Sequence, residues 1–365
     1  MSDTLSALAI AVQARVPVLL WGAPGTGKSS VVRQLAGELN LPVEVVIASV
    51  REPSDFAGLP LLTDGMVRFA PPSWAVRLAE AGRGILFLDE ISTAPPAVQA
   101  ALLRVVLERT AGELELPDGV AIVAAANPAD VAAGGWELSA PLANRFVHLD
   151  WPVKAQRWAE GIQRGWTLAG IPRLAADWEE RLPAARAVVA RFISARPATL
   201  LALPRDEQAR GRAWPSPRTW EMAARLVAAV ESTPEGSAAL EPLVVGCVGA
   251  GAGGELLAFM QFGAAWDLEA ALSDPSSLEV PESPDAVDAL LGAVVAAFAD
   301  AQGELEQSKQ EERWAQCWRV IDRVRKARGR DVVAPHALAL LELGKGNFLT
   351  PQAARPFVRV RQTAS

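Results

Sequence analysis

The chain has 365 residues, room for about two to three domains, with 50% hydrophobic residues, 21% charged residues and a net charge of −7. No apolar run approaches the ~18 to 20 residues of a bilayer span. The start, MSDTLSALAIAVQARVPVLL, has neither a basic n-region nor a small-residue cleavage pattern, which argues against a signal peptide. The acidic balance speaks against a dedicated nucleic-acid binder, although a local basic stripe can sit inside an acidic total.

In chain order, Leu5, Leu8, Ala9 and Val12 recur at helical spacing, and PVLLWG is a short buried-strand run. GAPGTGKSS follows directly, then a helix to about Leu39. LPVEVVIAS predicts a second strand. Asp55 to Trp74, DFAGLPLLTDGMVRFAPPSW, reads as two apolar runs joined by Asp-Gly, a hairpin signal. WAVRLAEAG predicts a short helix, GILFLDE a third strand and PPAVQAALLRVVLER an amphipathic helix. ELELPDG can turn back on the strand VAIVAAANP, LSAPLANRF ends a helix and FVHLDW is a last strand. Alternating strands and helices over this length predict a parallel α/β sheet.

After Trp151 the pattern is helical. SDPSSLEVPESPD, residues 273–285, is rich in Ser, Pro and acid and reads as a linker before further amphipathic helices. The expected organisation is an α/β nucleotide-binding domain over 1–152, with hairpins near 55–72 and 108–119. An all-α domain over 153–272, the linker, and a helical extension over 286–365 packing on the second domain complete it. Cys247 and Cys317, the only cysteines, lie at no metal-like spacing from a histidine, so no disulfide framework is implied and a reducing cytoplasm fits.

The chemistry concentrates in two motifs. GAPGTGKS, Gly22 to Ser29, matches G-x-x-x-x-G-K-[ST] between a strand and a helix. Such a loop turns its backbone N–H groups around phosphates, with Lys28 reaching the β- and γ-phosphates and Ser29 a Mg²⁺ ion. The loop residues Gly22, Ala23, Pro24, Gly25, Thr26, Gly27, Lys28, Ser29 and Ser30 are the candidate nucleotide-binding set. ILFLDE ends a buried strand in two carboxylates. Asp89 can hold the metal shell and Glu90 can polarise an attacking water. Asn127 closes VAIVAAANP, where it could orient that water. Arg145 in LANRF and Arg218 in WPSPRTW could each neutralise phosphate charge, but a single arginine is by base rate a surface residue.

GAPGTGKS, LFLDE, AAANP, NRF and SPRTW, in this order, resemble an AAA+ ATPase, and specifically the MoxR family, from about Val18 to Trp220. The insertion PSDFAGLPLLTDGMVRFAPPSWA and the second hairpin ERTAGELELPDG are similar to that group's insertions. The resemblance implies an AAA+ P-loop core with an all-α lid, using ATP and Mg²⁺. It makes Lys28 and Ser29 the nucleotide and metal ligands, Asp89 the metal ligand, Glu90 the base and Asn127 sensor 1. Arg145 becomes a finger reaching a neighbouring subunit and Arg218 sensor 2. It further implies a homo-oligomer, a hexamer, acting with a separate protein partner of the von Willebrand factor A type. Asn144 stands where Asp often precedes the finger, IST follows the paired acids, and the short segment before the loop leaves adenine over guanine unresolved.

GAGAGG, Gly249 to Gly254, matches G-x-G-x-x-G but lacks the βαβ setting of a dinucleotide site. His148 and His336 lack metal-spaced partners and read as structural. The leading expectation is an ATP-driven ring that remodels or activates a partner protein, and three other functions compete with it: a nucleotide-gated scaffold in a bacterial defence or signalling complex, a DNA-associated motor, and a chelatase motor subunit. The acidic or neutral hairpin tips count against DNA, while Arg68 and Arg109 keep it open.

Overall fold

The computed structural model describes residues 3–128, 136–166, 168, 170–262, 268–304, 306–344, 348, 352–354 and 357. Residues 358–365 of the expected C-terminal extension therefore lie outside the described residues. The chain forms two compact units, one of Met1–Val189 with Leu201–Gly253, the other of Ala190–Leu200 with Gly254–Ser365.

The first unit is built on five parallel strands: β1 (Val18–Trp21), β2 (Val43–Ile47), β5 (Arg83–Asp89), β8 (Gly119–Ala126) and β9 (Val147–Asp150). Their order is β2-β5-β8-β1-β9, with Leu19 opposite both Ala124 and His148. Strands of such a sheet are covered on both faces and need continuous apolar runs. Ile85, Leu86, Phe87 and Leu88 are accordingly fully buried.

The strands outside this sheet pair as two antiparallel ribbons, β3 (Leu59–Thr63) with β4 (Met66–Ala70), and β6 (Thr110–Ala111) with β7 (Leu114–Glu115). Asp64 and Gly65 turn the first ribbon, both at positive φ, as a two-residue loop requires.

Helices α1 (Asp3–Gln13), α2 (Lys28–Glu38), α3 (Ser54–Ala57), α4 (Ser73–Ala81), α5 (Pro96–Glu108) and α6 (Ala140–Ala143) accompany the sheet. On α5, Val98, Leu102, Val105 and Val106 form the buried stripe. Its buried Gln99 donates to Ala94 O and Glu137 O and accepts from Ser139 N, fixing the approach to α6. Helices α7 (Ala155–Arg164), α8 (Leu182–Ala195), α9 (Glu207–Arg210), α10 (Pro217–Glu231) and α11 (Leu240–Val248) follow.

GAGAGG begins the next helix, α12 (Ala250–Phe262), after Gly249 at φ +83°. A Cβ on Gly253 would meet Val245 Cα at 3.0 Å, so this glycine serves a close approach of the start of α12 to α11. The second unit has its own core of Leu290, Leu291, Val294, Phe298, Trp318 and Ile321. These lie on α14 (Pro284–Glu304) and α15 (Gln307–Arg328), preceded by α13 (Leu268–Ser273) and followed by α16 (Arg330–Leu343). Among the described residues no helix is long and apolar enough to cross a membrane.

Candidate nucleotide site

The loop from Gly22 to Gly27 joins β1 to α2 at the carboxyl end of the sheet. Gly25 and Gly27 take φ of +76° and +86°, values at which a side chain is strained, and this lets the loop coil back over the start of α2. Gly22 N donates to Ala126 O at 3.2 Å, tying the loop to β8. Trp151 Nε1 donates to Thr26 O, also at 3.2 Å. Ala23, Pro24, Gly25, Gly27 and Ser30 are exposed, so the loop presents an open rim above the helix N-terminus, a setting that favours anions.

Lys28, the first residue of α2, is buried. Its Nζ donates to Gly22 O at 2.6 Å, Ala23 O at 3.0 Å and Asn127 Oδ1 at 3.0 Å. Burial pushes its pKa below the ordinary lysine value, and the charges of Asp89 and Glu90 oppose that shift. Ser29 Oγ donates to Asp89 Oδ2 at 2.6 Å, which puts two hard oxygen donors side by side. No cluster of three or more His, Cys, Asp or Glu among the described residues could hold a metal. A magnesium ion here would complete its shell with phosphate oxygens and water, its usual preference. The donor set fits that ion, with Ser29 and Asp89 as the protein ligands.

Glu90 is exposed and sits at φ +57°. Its backbone N–H donates to Asp89 Oδ1 at 3.0 Å, and its Oε2 accepts from Ser49 Oγ. Ser49 belongs to the turn after β2 and escapes the sequence motifs. So does the buried Ser92, whose Oγ donates to Asn127 O at 3.3 Å and accepts from Asn127 N at 3.1 Å. Serine 92 lies in the IST run that follows the paired acids, and it pins the backbone that carries the Asn127 side chain.

Lys28 is thus hydrogen-bonded to Asn127 and its chain neighbour Ser29 to Asp89, two pairs side by side at the start of α2, with Glu90 attached through Asp89. Among the described residues, neither Arg145 nor Arg218 hydrogen-bonds to this cluster. Arg145 follows α6, with Nε buried and unpartnered and a terminal guanidinium nitrogen donating to Pro141 O. Burial lowers its pKa, and the nearby Arg218 charge lowers it further. Arg218 is exposed on the first turn of α10. The two arginines lie close enough for the charge of Arg218 to act on Arg145.

His148 Nδ1 accepts from Trp21 Nε1 and Nε2 lies against Ala143 O, both at 2.9 Å. Asp150 pairs with Arg212 at 3.0 Å, and the Arg212 guanidinium lies 4.0 Å from the Trp21 ring centre. His148, Asp150 and Arg212 line one side of a cavity of about 360 Å³ that also reaches Thr4 and Gly246.

A phosphate loop after the first strand, paired carboxylates ending β5, a polar residue ending β8 and this strand order define an AAA+ P-loop core, here with a helical region after it. Residues 17–146 match the family model of the AAA domain, dynein-related subfamily. Over 117 residues the chain is 32% identical to the "Pathogenicity locus probable regulatory protein WtsA" of Pantoea stewartii subsp. stewartii. That match covers 30% of this chain and 36% of the other, so the chain spans about a third of the length of this curated relative. Among solved structures, a "putative ATPase" from Cytophaga hutchinsonii is similar at TM-score 0.37 and 17% identity, over 60% of this chain and 72% of that one. A full-length MCM homolog from Methanopyrus kandleri is similar at TM-score 0.39 and 18% identity, over 67% and 55% of the respective chains.

Proposed function

We propose that the chain is a Mg²⁺-dependent ATPase of MoxR type that works as a ring, a hexamer, and uses hydrolysis to remodel or activate a partner protein. The observation that carries the catalytic part is the pair of hydrogen bonds at the start of α2, Lys28 to Asn127 and Ser29 to Asp89, which gathers the four side chains at the mouth of the phosphate loop. The bound metal ion would supply charge neutralisation at the transferred phosphoryl group. Lys28, held by two loop carbonyls, is poised to exchange them for phosphate oxygens. Glu90 can accept a proton from a water that Asn127 orients, and its bond to Ser49 sets how freely it does so. The cavity lined by Asp150 and Arg212 offers room for a base, and the indole of Trp151, the next residue, holds the loop at Thr26 O.

The ribbon β3–β4 supports the remodelling part. Leu59, Leu61, Leu62, Met66, Val67 and Phe69 are all exposed on ten residues, Leu62 to 79%. An apolar surface on so small an arm suits a protein contact. A separate protein of the von Willebrand factor A type is the partner proposed, and the cytoplasm the place of action.

Glu90→Gln should bind Mg-ATP within about threefold of wild type and lose ~10² to 10⁴ in kcat. Lys28→Ala should lose the binding itself. Equilibrium binding of a fluorescent ATP analogue beside steady-state phosphate release separates the two. Wild-type turnover by Glu90→Gln would overturn the assignment.

A further inference from the structure

Arg145 and Arg218 lie 73 residues apart in the sequence, yet one buried side chain fastens the segments that carry them. Asn144, only 3% exposed, sits between α6 and Arg145. Its Oδ1 accepts from Ser216 Oγ at 2.7 Å and its Nδ2 donates to Trp214 O at 3.2 Å. Ser216 is the N-cap of α10, closed in a capping box with Thr219, and Arg218 is the second residue of that helix. Thr219 Oγ1 also donates to Trp214 O at 3.1 Å. Both ends of the Asn144 amide are therefore engaged by residues that fix where α10 begins.

This arrangement holds two like charges together. Among the described residues neither arginine has an ion-pair partner, and burial and mutual repulsion both act against the charge on Arg145. Long arginine side chains in this situation would diverge unless their backbones were fixed relative to one another. An aspartate at 144 would present a carboxylate oxygen to Trp214 O where the amide now donates, and would offset one of the two positive charges. A neutral side chain with one acceptor and one donor meets both demands.

We propose that Asn144 is a positioning residue that locks Arg145 and Arg218 into a single unit, so that displacement of one arginine on meeting phosphate is passed to the other. This rests on the reading of both arginines as phosphate contacts. A response of α10 to the subunit's own nucleotide then travels through Ser216 and Asn144 to the arginine turned toward the next subunit.

The test uses the full chain with Asn144→Asp, Asn144→Ala, Ser216→Ala and the double variant Asn144→Ala/Ser216→Ala, beside Arg145→Ala and Arg218→Ala. Each of the three single latch variants should bind the fluorescent ATP analogue within about twofold of wild type and lose about tenfold in kcat, the equivalent of one lost ordering contact. The double variant should be no slower than either parent, because both break one link. The Hill coefficient for ATP should fall toward one. Independent structural damage would instead multiply in the double variant and weaken nucleotide binding, and that result overturns the latch. Asn144→Asp, which preserves shape, decides the case if Asn144→Ala does not fold. Arginine variants that are slow beside latch variants at wild-type rate would refute the latch alone. Arginine variants at wild-type rate would remove the reading beneath it.

Discussion

At the scale of single residues, His148 shows how one buried side chain ties β9 to β1 and to the end of α6. One ring nitrogen takes the Trp21 indole proton and the other faces Ala143 O, so the neutral tautomer with hydrogen on Nε2 satisfies both neighbours. Burial pushes its pKa down to about 4. The folded state thus binds the proton less readily than the unfolded chain, whose ordinary value is 6.5. Stability from this group is complete above about pH 6.5 and falls as pH drops toward 4, by up to about 3 kcal/mol. His148→Gln should be less stable than wild type at pH 7, and the gap should shrink by about that amount at pH 4. Urea titrations at several pH values measure it, and a gap independent of pH would contradict the assignment. The same scale shows what the sequence could and could not reveal. Lys28 and Ser29 can be picked out because phosphate chemistry dictates the spacing of their loop, and Asp89, Glu90 and Asn127 because they close apolar strand runs. Ser49, Ser92 and Asn144 leave no local pattern. Their partners stand 41, 35 and 72 residues away, and only the folded sheet brings them together.

At the scale of elements, the two ribbons differ in what holds them. The side chains of β3 and β4 are almost all exposed, and Leu62→Ser or Met66→Ser should change stability by no more than ~0.5 kcal/mol. The root of the ribbon is packed tightly. A Cβ on Gly112 would meet Phe69 O at 2.7 Å, and Gly112 has φ +64°. Glu113 N donates to Phe69 O at 3.1 Å while Glu113 Oε1 accepts from Phe69 N at 3.2 Å. The β6–β7 turn therefore clamps the base of the first ribbon. Gly112→Ala should cost ~1 to 3 kcal/mol through backbone strain and displacement of Pro71. Thermal denaturation of the three variants separates tip from root, and a Gly112→Ala as stable as Leu62→Ser would contradict the clamp. The Asp-Gly turn of the first ribbon was legible because the turn chemistry is local. The clamp was not, since Gly112 looks like any turn glycine until Phe69 lies against it. The parallel sheet was legible from uninterrupted runs such as ILFL. Its strand order was not, because pairing depends on crossovers rather than on composition.

At the scale of the whole molecule, Arg145 is the residue on which assembly can be tested. It makes no hydrogen bond to the phosphate-loop cluster of its own chain among the described residues, and its Nε has no partner there. Under the proposed ring, its target is the nucleotide of an adjacent subunit, where an added arginine is worth ~10³ or more in rate. Arg145→Ala chains then have a sound site but no arginine to lend. Glu90→Gln chains can lend the arginine but lack the base. Either alone should turn over ~10³-fold more slowly than wild type. Mixed in equal amounts, junctions form in which an intact Glu90 faces an intact Arg145, and phosphate release should rise roughly tenfold or more above either alone. The gain should vanish on dilution below the dissociation constant of the assembly, because hydrolysis at such a junction needs two chains. An arginine serving its own chain predicts no recovery at any ratio or concentration. The mixing curve therefore separates a shared site from a self-contained one.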